Sequence, residues 1–357
     1  MAYHTTPYLL LFLPAALLFY QITPAKWRSY TLLIFSYLFF WSFSEKLIIY
    51  LIGTTFLTHH ICIWMDTMDK RDKRKKRVLQ LGIFLLLGTI LCLKYRNFFF
   101  GNVSKLAMAL HIDWSYQDQL IFLPIGISFY TLSAIGYMAD VYWGKVKAEY
   151  SLVKTALFLG FFPVIVEGPI CRWEDVEDTL FKNESVKAEN VFKGCYRIIW
   201  GLFKKMIIAD RLAVLVDKVY VGYESYSGAV IVAAAISYTI QLYMEFSGCM
   251  DMVIGSAGLF GIRLPENFSQ PFLAKTCTDF WKRWHITLGI WFKNYIFYPV
   301  SISKTARKWN KFTRKHFKGD FGKYVARMGI AAMALFPVWI SNGLWHGPKW
   351  NYIFYGL

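Results

Sequence analysis

Apolar stretches recur along nearly the whole sequence, and they restrict the possible fold more than any other feature. They cover residues 7–22, 30–43, 47–65, 78–93, 120–143, 152–170, 192–221, 228–246, 252–260, 286–300 and 325–345. Hydrophobic residues make up 56% of the chain and charged residues 18%, whereas a soluble domain has roughly 45 to 50% and about 25%. Too little polar surface remains to cover a water-soluble particle, so the pattern predicts membrane-crossing helices.

The positive charge of the chain is concentrated in two short runs between apolar stretches. The formal net charge is +17, of which residues 70–77 contribute +6 and residues 304–323 contribute +7. Basic loops are retained on the cytoplasmic side of a membrane, where they also meet anionic lipid. Nucleic-acid binding is the alternative that such a charge raises, but no groove-reading motif accompanies either run. We therefore expect membrane lipid, and no nucleic acid, as a partner.

A cytoplasmic position for residues 70–77 orients the first half of the chain. Residues 47–65 then run inward and residues 78–93 run outward, and the N-terminus lies outside. When residues 120–143 return, Lys145 and Lys147 fall in the cytoplasm, which agrees with the same rule. Residues 7–22 lack the basic start and cleavage site of a signal peptide, so we expect a retained span.

Residues 286–300 do not have the pattern of a crossing helix. Lys282 and Arg283 precede this stretch, the basic run follows it, and Lys293 lies in its middle. A re-entrant or in-plane element is expected instead, which membranes tolerate only where its polar groups face protein or a water-filled cavity. The predicted fold is thus an all-α, polytopic integral membrane protein with re-entrant elements around a central cavity or tunnel.

His285 is the first candidate for chemistry. On one continuous helix, Trp281, Trp284, His285 and Leu288 would share a face. A hydrogen-bonded histidine in an aromatic stripe is the structural interpretation of this pattern. The functional one is an ionisable group lining the cavity, because ionisable residues at membrane depth are usually functional.

His346 is the second candidate. Pro337 is expected to interrupt the preceding helix, and Gly343, Gly347 and Pro348 to prevent a regular helix around the histidine. Backbone polar groups there would need partners in protein or water, so a broken helix next to an imidazole predicts a site. We expect both imidazoles to be buried at bilayer depth and to border one cavity.

Two carboxylates and six cysteines complete the candidates. Glu245 and Asp251 interrupt an apolar stretch, and pairing with Arg263 or Lys282 is favoured over direct catalysis because buried carboxylates are usually compensated. The cysteines form no CxxC pair and no cluster with zinc spacing, so we predict no metal site.

Four motifs resemble the membrane-bound O-acyltransferase family. They are Phe280-Trp281-Lys282-Arg283-Trp284-His285, Leu344-Trp345-His346-Gly347, Glu167-Gly168-Pro169-Ile170 with Arg172, and Pro265-Glu266-Asn267-Phe268. The resemblance covers about residues 161–347. Within the family it is greatest to bacterial members that acetylate alginate or peptidoglycan and to those that D-alanylate teichoic acid.

The resemblance implies roles for individual residues. His346 would be the nearly invariant catalytic histidine of the family, and His285 the second catalytic histidine. We expect a wider set of side chains to bind substrate: Trp281, Lys282, Arg283, Trp284, Glu245, Asp251, Asn342 and Trp345. Residues 1–160 would form the N-terminal transmembrane helices, and residues 161–357 an acyltransferase core. Because the sequence stops at Tyr355-Gly356-Leu357 within an aromatic apolar run, we expect this core to be truncated at its C-terminus.

The resemblance also implies an activity in the bacterial cytoplasmic membrane. An acyl group, with acetyl favoured, would pass from a cytoplasmic thioester donor to hydroxyls of an extracellular cell-envelope polysaccharide. The donor would be acetyl-coenzyme A or an acyl carrier protein, with no tightly bound cofactor and often with an extracytoplasmic partner protein. Two departures leave the acceptor open: Glu245 stands where many alginate-type members have Asp, and residues 299–304 read Pro-Val-Ser-Ile-Ser-Lys instead of Pro-Leu-Gly-Gly-Asn-Arg.

Three alternatives to acetyl transfer remain open. One is D-alanyl transfer to teichoic acid from a carrier protein. Another is a membrane transporter or flippase in which the histidines relay protons, although the sequence lacks the internal repeat of many transporters. The third is a structural membrane subunit, in which both histidines would be replaceable.

Overall fold

The computed structural model describes residues 2–69 and 72–356, and every regular element within these ranges is helical. Lys70 and Arg71, part of the first basic run, lie outside the described residues. The α-helices are α1 (Leu13–Ile22), α2 (Arg28–Ser44), α3 (Ile48–Asp66), α4 (Lys73–Ile90), α5 (Arg96–Ala109), α6 (Ile127–Trp143), α7 (Leu152–Gly160), α8 (Trp173–Leu180), α9 (Ala188–Leu202), α10 (Asp210–Val221), α11 (Gly228–Leu259), α12 (Cys277–Arg283), α13 (Ile286–Phe292), α14 (Tyr298–Ser301), α15 (Lys304–His316), α16 (Gly319–His346) and α17 (Trp350–Tyr355). The all-α class is confirmed.

Several of these helices adjoin π-helical segments. The segments are Pro7–Phe12, Leu91–Tyr95, Phe203–Ala209 and Lys293–Phe297. Because a π-helical turn shifts the side chains that follow it, such segments often occur at functional sites.

Within the described residues, four helical stretches are long and apolar enough to cross a membrane. They are Ala25–Asp66, Lys73–Ala109, Gly228–Leu259 and Gly319–His346. Within the first stretch α2 and α3 are separate helices, because Glu45 has a φ of +42° at the break between them. The prediction of a polytopic membrane protein agrees with these stretches.

The chain forms two compact units. Unit 1 comprises Pro124–Thr287 and the described residues up to Met68, and unit 2 comprises the described residues of Asp69–Leu123 and those from Leu288 onward. The predicted domain boundary at residue 160 separates the N-terminal transmembrane helices from the acyltransferase core by function, and it stays a prediction.

In unit 1, α9 and α11 approach closely through glycines. A Cβ at Gly201 would lie 2.5 Å from the carbonyl oxygen of Gly248, and one at Gly194 would lie 2.8 Å from that of Gly255. Small residues let helix backbones pack against each other where lipid gives no hydrophobic driving force for association. The two glycines on each helix therefore set the distance between α9 and α11.

In unit 2, α16 is longer than the sequence predicts. It continues through Pro337 and Gly343 and ends at His346, so the predicted interruption and the irregular backbone before the histidine are wrong. A proline in a membrane helix is tolerated where neighbouring groups satisfy the freed carbonyl. The glycine serves packing, since a Cβ at Gly343 would overlap the carbonyl oxygen of Tyr352 on α17.

Residues 286–301 are helical throughout, as α13, the π-helical Lys293–Phe297 and α14. The re-entrant or in-plane placement of this stretch stays a prediction, and so does the central cavity or tunnel.

Candidate active site

A two-residue break in unit 1 separates α12 from α13 and carries His285. α12 ends at Arg283, Trp284 is extended, and His285 has a left-handed φ of +46°. Such a φ is uncommon for a residue other than glycine and persists only where surrounding contacts impose it. The predicted helix face shared by Trp281, Trp284, His285 and Leu288 is therefore wrong, because the helix stops before the histidine.

Aromatic rings enclose the break. Trp284 stacks on Phe280 with ring centroids 5.7 Å apart and meets the edge of Phe268 at 5.1 Å. The imidazole of His285 packs edge to face on Phe246 of α11 at 4.9 Å and is buried. Burial of this imidazole agrees with the prediction, and α11 provides one wall of its surroundings.

Asn267 holds the backbone and the side chain of this break. Its Oδ1 lies 3.1 Å from His285 Nδ1 and accepts bonds from the N–H of Thr287 at 3.1 Å and from its hydroxyl at 3.0 Å. The carbonyl oxygen of Asn267 accepts the N–H of Ile286 at 2.9 Å. The sequence places Asn267 in a family motif but does not predict it as a site residue; its burial and its bonds give it a position in the site.

A second family motif meets the same group of bonds. The hydroxyl oxygen of Thr287 accepts the backbone N–H of Ile170 at 3.0 Å. Ile170 ends the Glu167–Ile170 motif, so two separate motifs of the sequence converge on the turn that carries His285.

The carboxylate of Asp251 on α11 pairs with cations from α9 and from the π-helical segment that follows α9. It accepts hydrogen bonds from Arg197 Nε at 3.1 Å and from Lys204 Nζ at 2.6 Å. Arg197 also forms a two-bond ion pair with Glu266, at 2.6 and 2.5 Å. Because Glu266 directly precedes Asn267, this network supports the loop that holds His285.

Glu245 is compensated in a similar way, by Lys205 Nζ at 2.6 Å. The predicted pairing of Glu245 and Asp251 with Arg263 or Lys282 is wrong in its partners, since the cations come from α9 and the helical segment that follows it. The expected substrate-binding roles of both carboxylates stay predictions.

The remaining predicted residues of unit 1 lie near the surface of α12. Arg283 pairs with Asp279 through Nε at 3.0 Å, and this hydrogen bond lowers the pKa of the Asp279 carboxyl. Trp281 and Lys282 are exposed. His285 and Trp284 thus lie among the aromatic rings of unit 1, whereas Trp281 and Lys282 lie on the surface of this unit.

In unit 2, the last turns of α16 present three predicted residues. Asn342 and His346 are four residues apart and share a helix face, with Trp345 beside them. The imidazole of His346 stacks on Tyr352 with centroids 6.0 Å apart and meets the edge of Tyr355 at 5.9 Å. His346 is exposed within the described chain, so the expectation that both imidazoles are buried is wrong for this one.

A groove of about 1100 Å³ adjoins the helix end that carries His346. Its polar and aromatic lining includes Lys94, Asn97, Asn102, Lys105, Tyr116, Asp118, Lys349 and Trp350. Lys94 links the groove to the helix end, because its Nζ donates to the carbonyl oxygen of Trp345 at 2.6 Å. The sequence pattern does not predict this groove, because residues 94–119 lie between two apolar stretches and belong to none of the four motifs.

His285 and His346 belong to different units. Whether they border one cavity stays a prediction, as do the catalytic roles of both.

Comparison with known proteins identifies the family. The sequence model of the membrane-bound O-acyltransferase family matches residues 146–314, which include His285 and end before His346. A probable alginate O-acetylase of Pseudomonas putida is 32% identical over 356 residues, covering 100% of this chain and 68% of that protein.

Two further relatives represent other named activities. A peptidoglycan O-acetyltransferase of Helicobacter pylori is 28% identical over 392 residues, covering 99% of this chain and 68% of the relative. A teichoic acid D-alanyltransferase of Bacillus subtilis is 29% identical over 239 residues, covering 65% of this chain and 56% of the relative. The chain spans about two thirds of the length of its alginate-type relatives. The family expected from the motifs is confirmed: this chain belongs to the membrane-bound O-acyltransferase family, a family of acyltransferases.

Proposed function

We propose that the protein transfers an acetyl group from a cytoplasmic thioester donor to hydroxyls of a cell-envelope polysaccharide, in the cytoplasmic membrane of a bacterium. The observation that carries this proposal is the match of the entire chain to relatives named as O-acetylating enzymes. The teichoic acid D-alanyltransferases of Bacillus subtilis and Streptococcus thermophilus match only 65% and 68% of the chain, which favours acetyl over D-alanyl transfer.

His346 is the proposed general base. It removes the proton of the acceptor hydroxyl, whose oxygen attacks the thioester carbonyl carbon. The carbon–sulfur bond then breaks, and the thiolate leaves and takes up the proton. A base of this kind contributes about 10² to 10⁴ in rate. The position of His346 at the end of α16, next to a groove lined by both polar and apolar side chains, supports access of an acceptor to this histidine.

His285 is the proposed second histidine, which orients the acyl donor or polarises its carbonyl. Its burial and its fixed bond to Asn267 support a positioning function, because acyl transfer depends strongly on how the reacting groups are held. Lys282 on the surface of α12 is a candidate to attract a phosphorylated donor. The donor is acetyl-coenzyme A or an acyl carrier protein, and an extracytoplasmic partner protein is part of the proposal.

Replacement of His346 tests the proposal. In cells that produce His346→Gln, the membrane level of the protein should be unchanged while acetyl esters on envelope polysaccharides disappear from mass spectra. His316→Gln is the matched control, because His316 is an exposed histidine at the end of α15 whose Nδ1 meets its own helix carbonyl at Phe312. Normal acetylation in His346→Gln would overturn the role of this histidine.

The mass spectra also separate the alternatives. Acetyl and D-alanyl esters differ in mass, so D-alanyl esters that depend on the protein would replace the acetyl proposal. A pH gradient could instead drive uptake into vesicles that contain the purified protein, without consumption of thioester. That result would replace the acetyl-transfer proposal by a transport function.

A further inference from the structure

The side-chain amide of Asn267 has a defined orientation in the structure. Its Oδ1 is the atom that receives the backbone N–H of Thr287. Since a backbone N–H can only donate, the amide atom it meets must be the oxygen. The other end of the amide agrees, because Nδ2 lies 3.3 Å from Met250 Sδ, which can only accept. The oxygen of Asn267 therefore faces His285.

This orientation determines which nitrogen of His285 carries a proton. Nδ1 lies 3.1 Å from an amide oxygen, which accepts and never donates, so Nδ1 must be the donor. A neutral imidazole has one N–H and one lone pair, so the lone pair is on Nε2.

We propose that Asn267 is a positioning residue that holds His285 in the Nδ1–H tautomer, so that Nε2 is the nitrogen that accepts a hydrogen bond or a proton during acyl transfer. The inference rests on the function proposed for His285, and it makes that function more specific. A neutral His285 in this tautomer has no N–H on Nε2, so that nitrogen cannot donate a hydrogen bond to a thioester carbonyl. Nε2 instead accepts a hydrogen bond from a group of the acyl donor or from the acceptor hydroxyl, and in this way orients it.

The surroundings of Asn267 are rigid enough to impose a tautomer. Its side chain is fully buried, and Glu266 beside it is clamped by both terminal nitrogens of Arg197. The N–H groups of Ile286 and Thr287 both bond to Asn267, and these contacts hold the left-handed backbone of His285. Supporting residues of this kind usually fix the orientation of the functional group they contact.

Nitrogen-15 NMR of histidine-labelled protein in lipid bilayers tests the inference, with the His285 signals assigned by their loss in His285→Gln. In the wild-type protein Nδ1 should be the protonated, pyrrole-type nitrogen. Asn267→Asp retains an acceptor oxygen and should keep this tautomer. Asn267→Leu removes the acceptor and should give a mixture or the Nε2–H form, with acyl transfer lowered roughly 10- to 100-fold.

Thr287→Val is the control for a general loosening of the turn. It removes one bond to Asn267 Oδ1 and leaves the contact with Nδ1, so the tautomer should persist even if the melting temperature falls. A wild-type His285 with its proton on Nε2, or an unchanged tautomer in Asn267→Leu, would overturn the inference. The NMR measurement needs no turnover, so it tests the tautomer independently of activity. Full acyl transfer by His285→Gln would contradict the proposed function of His285 and not the tautomer.

Discussion

Lys94 anchors the end of the helix that carries His346, through a bond of 2.6 Å from its Nζ to the carbonyl oxygen of Trp345. The lysine lies in the π-helical segment Leu91–Tyr95, which joins α4 to α5. Carbonyls in the last turn of a helix lack partners within the helix, and a cation there also meets the negative end of the helix dipole. The backbone next to the proposed base is therefore held by a side chain from a different membrane-crossing stretch.

Lys94→Met should lower acetyl transfer about tenfold without removing the protein from the membrane. The substitution keeps the apolar stem and removes the ammonium group, and a hydrogen bond to a charged group is worth about 1.5–3 kcal/mol. Acetyl esters per unit of membrane protein, measured by mass spectrometry, check this. Lys323→Met is the matched control, since Lys323 pairs with Asp320 at the opposite end of α16. Equal losses in both variants would show that the bond to Trp345 is not the cause.

Gly343→Ala should destabilise unit 2 and impair transfer together. A Cβ at this position would overlap the carbonyl oxygen of Tyr352 and lie 3.2 Å from Gly356 Cα, so α17 must move. Overpacking of this kind costs about 1–3 kcal/mol, and Tyr352 stacks on His346. Thermal unfolding in detergent and the transfer assay measure the two effects.

Gly88→Ala supplies the comparison for Gly343→Ala. Gly88 lies within α4, and nothing stands within 4 Å of the position its Cβ would take. Alanine in an open helical position should leave the protein as stable as before, or stabilise it by about 0.5–1 kcal/mol. If the melting temperature fell equally in both variants, the contact between α16 and α17 would not explain the loss.

Gly201→Ala should separate α9 from α11 in unit 1. The added Cβ would stand 2.5 Å from the carbonyl oxygen of Gly248 and 2.8 Å from Met252 Cγ, so a helix backbone must shift, at a cost of about 1–3 kcal/mol. Gly258→Ala on α11 is the control, because its Cβ would meet nothing within 4 Å. A lower melting temperature for Gly201→Ala alone is expected, and equal stability of the two variants would contradict the close approach.

The all-α class and the family were predictable from sequence, because apolar length and compact motifs are local signals. The helix bounds were not, since the apolar stretch 120–143 is helical only from Ile127 and the stretch 152–170 only as far as Gly160. The break at His285 was not, since the aromatic pattern continues across it and the residue that imposes it, Asn267, comes from a separate loop. The continuity of α16 through Pro337 was missed for the opposite reason. Pro337 is a helix breaker by its local chemistry, but a proline inside a membrane helix is tolerated where neighbouring groups satisfy the freed backbone carbonyl. Neither case is decided by local sequence alone.

The partners of Asp251 were not predictable from local sequence either, because Arg197 and Lys204 come from a distant segment of the chain. Its side chain is 12% exposed and receives bonds from Arg197 and Lys204, whereas the side chain of Glu245 is 47% exposed. Removal of one member of a buried ion pair costs about 3–5 kcal/mol, while an exposed pair is worth about 0–1 kcal/mol. Asp251→Asn should therefore lower the melting temperature much more than Glu245→Gln.

Asp251→Asn should also reduce acyl transfer, because a released Arg197 no longer holds Glu266 and the adjacent Asn267 in place. Thermal unfolding and the ester assay on the same membrane preparations measure both effects. Transfer should fall in proportion to the loosening of this loop, and lowering the assay temperature should restore part of it, since the folded state is then better populated. A variant that is as stable as wild type yet inactive at every temperature would instead assign Asp251 to substrate binding.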